Sequence, residues 1–250
     1  MIDKKPLVSI IITYLNKRRF ISKTLSSVLN QTYKNFELVF VYDDTNKNDL
    51  AFIKKLIKKF RKKKLIVNKH NLGVAKSRNI ALKASSGSYI AFIDSDDTWK
   101  KKKLSTQINY MIKYSSDLTF TSYNIINHND KILGERKVTK DAKYHQIFKS
   151  NPIGLSTVVI NKKKIKKPRF PFLKTQEDFA LWLQLLRKGH RLKHFKPCLT
   201  NWRKTQGSLS SNIFQKIIDA FRLYYFYEKK NFAFSIYSVI VLSYNKFIKN

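Results

Sequence analysis

The sequence predicts an α/β fold, in which helices flank a mostly parallel central sheet and a helical segment follows at the C-terminus. Three observations lead to this prediction. Short apolar runs alternate with segments whose apolar residues recur at helical spacing. The links between these segments are short, as in right-handed crossovers between parallel strands. Polar clusters follow directly after three of the apolar runs, at the edge where open α/β sheets bind their ligands.

Four apolar runs in the first half are predicted to be strands: residues 7–12, 36–41, 65–67 and 89–93. The first run is apolar apart from Ser9, which is typical of a strand buried on both faces. The last run combines aromatic and β-branched residues after a Gly-Ser turn. A helix is predicted after each of the first three runs. Apolar residues at helical spacing indicate the first helix (Ile21, Leu25, Val28 and Leu29) and the second (Leu50, Ile53, Leu56, Ile57 and Phe60). The segment from Asn71 to Asn79 is predicted to open the third helix.

The second half has a less regular pattern. We expect strands at residues 118–123, 156–160 and 199–203, and a polar loop over the ligand edge at residues 124–150. Two helices are expected, one with Leu104, Ile108, Met111 and Ile112 on its apolar face and one from Glu177 to Gly189 with Phe179, Trp182, Leu185 and Leu186.

Residues 211–250 are predicted to form a basic and aromatic helical tail. Apolar and aromatic residues alternate with Lys and Arg from residue 213, and residues 232–244 are nearly all apolar. The run is too short to span a bilayer, which needs about 20 apolar residues. Two interpretations stay open: an amphipathic helix in a membrane interface, and a helical hairpin packed on the domain.

The composition indicates a folded protein with an anionic partner. The chain of 250 residues is 43% hydrophobic and 14% aromatic, which excludes a disordered protein. Its formal net charge of +35 suggests nucleic acid, an acidic membrane face or a phosphate-bearing substrate, although A/T-rich codons would also explain the lysines. Cys198 is the only cysteine, so no intrachain disulfide is expected. Residues 1–6 lead directly into a strand, so no signal peptide is expected.

Acidic residues crowd the end of the fourth predicted strand. Asp94, Asp96 and Asp97 lie within four positions, and carboxylates this close raise one another's pKa unless a positive charge compensates them. A divalent cation such as Mg²⁺ or Mn²⁺ is the simplest compensator, with substrate phosphates completing its ligand shell. The alternative is a solvated acidic turn that caps the following helix. Asp43 and Asp44 follow another strand, so both clusters are expected at one edge of the sheet.

Six motifs follow one another along the chain. They are Val8-Ser-Ile-Ile-Ile-Thr-Tyr14, Ser27-Val-Leu-Asn-Gln-Thr-Tyr33 with Asn35-Phe-Glu37, Tyr42-Asp43-Asp44, Asn71-x-Gly73-x-Ala75-x-x-Arg78-Asn79, Asp94-Ser-Asp-Asp97-x-Trp99 and Glu177-Asp178-x-x-Leu181-Trp182. Each motif alone is weak, but their order and spacing form a specific signal. On these motifs the chain resembles the family 2 glycosyltransferases of the GT-A fold, of the type that builds bacterial cell-surface polysaccharide and lipopolysaccharide. The resemblance covers about residues 6–210.

The resemblance implies a Rossmann-like GT-A domain over residues 1–210, with a nucleotide-binding half to about residue 100 and an acceptor half after it. It also implies a nucleotide-sugar donor, commonly a UDP-sugar. The residues that it assigns to this donor are Tyr14 against the base, Asp43 or Asp44 on the uracil ring, Arg78 near the base or diphosphate, and Asp94 at the ribose. Thr13 and Ser95 are also expected to bind the nucleotide-sugar. Asp96 would hold the Mn²⁺ or Mg²⁺ ion that bridges the diphosphate.

The catalytic residues are implied by the Glu177-Asp178 pair. Asp178 would be the general base that takes the proton of an acceptor hydroxyl, with Glu177 beside it, and attack from the opposite face would invert the anomeric centre. Acidic residues in a first helical turn are also favoured by the helix dipole, which is a purely structural interpretation.

This sequence departs from the family pattern around the base. Leu15 stands where many relatives carry an aromatic residue before the Asn, and Thr45-Asn46 replaces Gly-Ser after the second motif. The choice between Asp43 and Asp44 for the base therefore stays open. Two other classes of function stay open as well: a basic nucleic-acid-binding protein, and a glycosyltransferase-like protein without activity. The paired acidic motifs argue against the first, and the intact Asp94, Asp96 and Asp178 argue against the second.

The expected partners and location follow from the same resemblance and from the charge. We expect a nucleotide-sugar donor, a glycan or lipid-linked acceptor, and no nucleic acid. A cytoplasmic location is expected, with peripheral contact between the basic tail and the anionic inner face of the membrane kept as a hypothesis.

Overall fold

The structure is a computed structural model that describes residues 5–205 and 212–248. Its first half contains, in chain order, β1 (Val8–Tyr14), α1 (Arg18–Leu29), β2 (Phe36–Tyr42), α2 (Lys47–Ile57), β3 (Lys63–Val67), α3 (Val74–Ala84), β4 (Tyr89–Phe92) and β5 (Thr98–Trp99). The second half contains α4 (Lys103–Lys113), β6 (Leu118–Ile126), β7 (Ile132–Arg136), α5 (Tyr144–Ile147), β8 (Val159–Asn161), α6 (Glu177–Arg187), β9 (Leu192–Arg203), α7 (Ile213–Arg222) and α8 (Phe232–Ile248). The predicted α/β class is confirmed.

All nine strands of the described part belong to one sheet. Its order is β3-β2-β1-β4-β8-β6-β9-β5, and β7 pairs with β6 outside this path. Strands β3, β2, β1 and β4 are parallel neighbours, as the crossover helices require. Beyond β4 the sheet is mixed, because β8 runs antiparallel to both β4 and β6. The expected parallel pairing is therefore observed among β1 to β4 and again between β6 and β9, and the other pairs are antiparallel.

The apolar strands separate two hydrophobic clusters on opposite faces of the sheet. Side chains alternate along a strand, so Ile11 faces one cluster while Ile10 and Ile12 face the other. Each of these side chains is at most 2% exposed. This burial on both faces explains why β1 is apolar apart from Ser9 and Thr13, because only Thr13 of the strand is partly exposed to water.

The expectation of a polar loop over residues 124–150 was wrong in part. Strand β6 continues to Ile126 and turns into β7, and the short helix α5 follows. The outer strand β7 is largely exposed, with Ile132 and Leu133 more than half accessible. Hydrogen bonds to β6 therefore hold β7 in place, and no alternation of buried and exposed residues marks it in the sequence. The strand expected at residues 156–160 is shorter, because a 3-10 turn over Leu155–Thr157 precedes β8.

Strand β9 is more than twice as long as the predicted strand at residues 199–203. It pairs with β6 on both sides of an irregularity, since Thr121 lies opposite Phe195 and Tyr123 opposite Thr200. The extra residues include Pro197, which has no amide hydrogen for a ladder and is tolerated at such a bulge. The first part of β9 was not predicted from the sequence, because its polar residues and this proline are not typical of a strand.

The C-terminal tail is a helical hairpin that packs on the domain. The Tyr224 hydroxyl donates to the Phe148 carbonyl at 2.7 Å, and Asp219 accepts from the Thr175 amide at 2.8 Å. Tyr144 donates to Glu228 at 2.6 Å. Of the two interpretations, packing on the domain is therefore observed, and residues 211, 249 and 250 of the predicted tail lie outside the described residues. Within residues 5–205 and 212–248, no helix combines the length and apolar character that a membrane span needs.

Candidate active site

The segments that follow β1, β2 and β4 meet at the carboxyl edge of the parallel strands. The Asn16 amide, which follows β1, donates to Asp44, which follows β2, at 2.8 Å. Lys17, one residue later, lies 2.8 Å from Asp96, which follows β4. The structure thus brings the predicted acidic clusters together, as expected for parallel strands that end side by side.

The turn after β4 is held by one serine from the second half of the chain. The Ser156 hydroxyl accepts from the Asp94 amide at 2.9 Å and donates to the Asp97 carboxylate at 2.6 Å. Asp97 is 1% exposed, and burial together with the charges of Asp96 and Asp94 raises its pKa. Its second oxygen accepts from the Arg203 amide at 2.8 Å. Asp97 is therefore a structural residue that shapes the turn and leaves Asp94 and Asp96 as the accessible carboxylates.

Arg78 joins the fourth strand to the Glu177-Asp178 motif. Its guanidinium lies 2.7 Å from Asp94 and also contacts Glu177, so one buried cation holds two acidic residues that are far apart in the sequence. Arg78 is 6% exposed and lies over the Phe170 ring. The resemblance placed this arginine near the base or diphosphate of the donor. In the structure it is the centre of an acidic cluster between the two halves of the chain.

The two acidic residues at the start of α6 differ in access. Glu177 is buried against Arg78, whereas Asp178 is partly exposed and accepts from the Phe179 amide at 2.6 Å. Burial raises the pKa of Asp178 to about 6, although the Arg78 charge opposes this rise. Burial also raises the pKa of Glu177. Asp178 is therefore the more accessible carboxylate of the pair, with its pKa raised towards neutrality.

Asp43 and Asp44 have different surroundings. Asp43 is 2% exposed and accepts from the Leu72 amide at 2.7 Å, the Gly73 amide at 3.0 Å and the Asn68 side chain at 2.7 Å. These bonds hold the loop before α3, where Gly73 has a φ of 85° that a side chain would disfavour. Asp44 is partly exposed and accepts from the Asn16 and Thr45 amides. Asp44 is therefore the more accessible of the two carboxylates.

Tyr14 lies in the core and does not line the open edge. Its ring stacks on Tyr42 with centroids 5.2 Å apart, its hydroxyl donates to Asp49, and only 1% of the residue is exposed. Burial and the bond to Asp49 raise its pKa, so the hydroxyl stays protonated. This packing does not support the expected contact between Tyr14 and a base. Thr13 is partly exposed at the end of β1, and Ser95 is buried with its carbonyl accepting from Thr24 at 3.0 Å.

Two of the three carboxylates of the β4 turn already have positive partners. Lys17 contacts Asp96 and Arg78 contacts Asp94, whereas Asp97 accepts from the neutral backbone amide of Arg203. Like-charge repulsion is therefore a weaker argument for a bound cation than it is from the sequence. No group of three or more His, Cys, Asp and Glu side chains in the described residues is arranged to hold a metal. Asp96 alone still suits Mg²⁺ or Mn²⁺, since these ions commonly take one or two carboxylates and complete their shell with substrate phosphates.

Sequence reasoning missed four residues of this site: Lys17, Ser156, Arg203 and Thr205. Arg203 donates to the Asp96 carbonyl at 2.8 Å, and Thr205 lies 3.1 Å from the Lys17 ammonium. None of them belongs to one of the six motifs, and three come from segments whose order in the sheet could not be read from the chain. Lys17 stands next to the first motif, but nothing distinguishes it there from the many surface lysines.

Three comparisons with known proteins agree with this architecture. The model of the family "Glycosyl transferase family 2" matches residues 9–167. The Escherichia coli protein WfgD, named as a UDP-Glc:alpha-D-GlcNAc-diphosphoundecaprenol beta-1,3-glucosyltransferase, is 38% identical over 214 residues, which cover 84% of this chain and 82% of WfgD. The family match begins within β1 and includes β2 to β8 and the acidic turn after β4.

Two solved structures share the fold. One is the structure of S. aureus TarS in complex with UDP-GlcNAc. The match covers 94% of the present chain and 71% of the TarS chain, with a TM-score of 0.74 and 20% sequence identity. The other is the mannosyltransferase PcManGT from Pyrobaculum calidifontis in complex with GDP-Man and Mn²⁺. The match covers 98% of the present chain and 76% of the PcManGT chain, with a TM-score of 0.69 and 11% sequence identity. At these identities the likeness concerns the fold alone. Since the family model spans more than half of the 250 residues, the chain belongs to glycosyl transferase family 2 and is a glycosyltransferase.

Proposed function

We propose that this enzyme transfers a sugar from a UDP-sugar to a hydroxyl of a lipid-linked or glycan acceptor in surface polysaccharide synthesis, with inversion at the anomeric carbon. The observation that supports the proposal is the Arg78 cluster: Arg78 contacts both Asp94 and Glu177, and Asp178 is the next residue along the chain. The donor and lipid-linked acceptor in the name of WfgD and the UDP-GlcNAc bound by TarS support the substrate classes.

The donor is proposed to bind along the carboxyl edge of β1, β2 and β4. Asp44 and Thr13 are partly exposed there and would contact the base, while Asp43 keeps the neighbouring loop in shape. Asp94, with 33% of its side chain exposed, would accept from the ribose hydroxyls. Ser95 would contribute through its backbone, because its side chain is buried.

Asp96 is the residue that would hold a divalent cation. Its carboxylate is 13% exposed at the open edge, close to Asp94. When bound, Mn²⁺ or Mg²⁺ would act as a Lewis acid that offsets the negative charge of the leaving diphosphate. The Mn²⁺ in the complex of PcManGT supports this assignment.

Asp178 is the proposed general base. The acceptor hydroxyl is a poor nucleophile, so Asp178 takes its proton as the oxygen attacks the anomeric carbon. The bond from that carbon to the diphosphate oxygen breaks, and its electron pair leaves with the nucleoside diphosphate. Glu177 positions Arg78 and does not reach the acceptor, because it is buried. A single displacement of this kind inverts the configuration.

The helical hairpin is proposed to rest on the anionic face of the membrane that carries the acceptor. Large apolar side chains are exposed along it, and among them Phe214 is 82%, Phe226 62% and Ile240 61% exposed. Arg222 and Lys229 are exposed on the same hairpin. Exposed aromatic residues beside basic ones are typical of segments that lie in a membrane interface.

The membrane proposal can be tested by vesicle flotation. The double variant Phe214→Ser with Ile240→Ser should lose binding to vesicles containing phosphatidylglycerol, while a matched double variant on β7, Ile132→Ser with Leu133→Ser, should retain it. Ile132 and Leu133 are 58% and 55% exposed, so the control removes a similar apolar surface. Equal binding by both variants would overturn the proposal, as would a wild type that binds no such vesicles.

The donor site can be tested by calorimetric titration with UDP and other nucleoside diphosphates, with and without Mn²⁺. Binding by the wild type should prefer UDP and depend on Mn²⁺, and Asp96→Ala should abolish that dependence. Asp141→Ala is the matched control, because Asp141 is a partly exposed carboxylate that pairs with Lys193 instead. A folded wild type that binds no nucleotide would refute the donor site. It would also revive the nucleic-acid interpretation of the basic surface, against our expectation of no nucleic-acid partner.

A further inference from the structure

The Asp96 carboxylate forms an ion pair with a lysine of the same chain. The Lys17 ammonium lies 2.8 Å from Asp96 Oδ2 and 3.1 Å from the Thr205 hydroxyl. Lys17 immediately precedes α1, so its backbone position is set by the helix and by the strand before it. Only 22% of the Lys17 side chain is exposed, and both contacts of its ammonium are with residues of the site.

The other cations near this turn have different partners. The Arg78 guanidinium contacts Asp94 and Glu177. The Arg203 guanidinium reaches the carbonyls of Asp96 and Asn127 and the Asp130 carboxylate, and not the Asp96 carboxylate. Within the part of the chain that the structure describes, Lys17 is therefore the ion-pair partner of Asp96.

A divalent cation on Asp96 would compete with this lysine. The ammonium contacts Oδ2 directly, and a metal ion bound to the same carboxylate would stand close to a like charge. Lys17 has four rotatable side-chain bonds and can turn away, whereas the Asp96 backbone is held by Arg203. A donor diphosphate would give the displaced ammonium a new partner, because lysine binds phosphate as a point charge.

We propose that Lys17 is the resident counter-ion of Asp96, which keeps the free enzyme's affinity for a divalent cation low and moves onto the donor diphosphate when metal and donor bind together. This inference rests on the proposed donor site and adds the order of binding. Lys17 thus acts as a positioning residue for the donor, and it couples the binding of the metal to that of the nucleotide.

The test is a Mn²⁺ titration read by the electron paramagnetic resonance signal of free Mn²⁺, with and without UDP. Without UDP, Lys17→Met should bind Mn²⁺ at least tenfold more tightly than the wild type. With Mn²⁺ present, the same variant should bind UDP several-fold more weakly, so the mutual enhancement of the two ligands shrinks. Lys17→Arg keeps the charge and should retain most of the competition.

Lys23→Met is the matched control, since it removes one positive charge from α1 whose ion pair with Asp130 is exposed. This control should keep the wild-type affinities. Equal Mn²⁺ affinity of Lys17→Met and Lys23→Met, with UDP binding intact, would overturn the inference and leave the donor site standing. Absence of UDP binding in the folded wild type would instead refute the proposed function.

Thermal melting of each variant establishes folding, and Thr205→Val, which removes the second partner of the ammonium, should give an intermediate gain in Mn²⁺ affinity.

Discussion

Replacing Arg78 by Met should destabilise the protein well beyond a typical substitution. The Arg78 side chain is 7% exposed, and its partners Glu177 and Asp94 are 8% and 33% exposed. The variant leaves Glu177 buried without its cation, and breaking a buried ion pair in this way costs about 3–5 kcal/mol. The partly solvated Asp94 adds about 0–1 kcal/mol. We expect the free energy of unfolding to fall by roughly 3–6 kcal/mol.

The loss should depend on pH. Burial raises the pKa of Glu177, and the positive charge of Arg78 opposes this rise. Because the variant lacks that charge, the pKa of Glu177 should rise further in it. A carboxyl group with a raised pKa binds more protons in the folded state than in the unfolded state. The stability it confers therefore falls as pH rises above the unfolded value of about 4.3. The variant should be closest to the wild type near about pH 5 and furthest from it near about pH 8.

Urea denaturation at these two pH values measures both effects, provided that the slope with denaturant is unchanged. Lys193→Met is the control, because it removes one member of an exposed pair with Asp141 and should cost about 0–1 kcal/mol. Adding Glu177→Gln to the Arg78 variant should restore most of the lost stability, since no buried charge then remains unpaired. A cost under about 1 kcal/mol for the Arg78 variant, or no recovery in the double variant, would refute the reasoning.

Three further predictions concern single positions. Asp178→Asn should lower kcat by about 10²–10⁴-fold, and wild-type kcat/KM should fall below about pH 6, because burial raises the pKa of the base to about 6. Lys103→Met should stabilise the protein by about 1–3 kcal/mol at neutral pH, because the ammonium is buried without a hydrogen-bond partner among the described residues. Burial lowers the pKa of Lys103 well below its ordinary 10.5, so the wild type loses stability as pH falls and the gap narrows as pH rises. Gly87→Ala should cost about 1–3 kcal/mol, since its Cβ would lie 2.6 Å from the Ser9 amide nitrogen.

Each of these has a clear counter-result. Steady-state kinetics across pH would contradict the role of Asp178 if the variant kept wild-type kcat. Urea denaturation at about pH 7 and about pH 9.5 tests Lys103, and a variant less stable than the wild type at both would show that the ammonium is favourably bound. Gly134→Ala is the control for Gly87, because no atom lies within 4 Å of a Cβ added there. Equal stability of the two alanine variants would show that the backbone yields freely at Gly87.

The first half of the fold could be predicted from the chain because its structure is local. Residues 89–93 are apolar without a break and residues 7–12 are apolar except for Ser9, as is typical of strands buried on both faces, and the helices between them show their period directly. Parallel neighbours joined by short crossovers then leave little choice of topology. Strands β7 and β9 carry no such pattern, because one is largely exposed and the other contains Pro197 at a bulge.

The sequence by itself determined the class of fold, the family motifs and the clustering of Asp43, Asp44, Asp94 and Asp96 at strand ends. The tertiary structure alone decided what each carboxylate contacts: Asp43 holds a loop, Asp97 is buried against Ser156, and Asp96 pairs with Lys17. The physical reason is how far apart along the chain the interacting residues lie. Periodicity and strand ends depend on neighbours along the chain, whereas burial and charge partners depend on segments such as β9 and α6 that reach the site from more than 80 positions away.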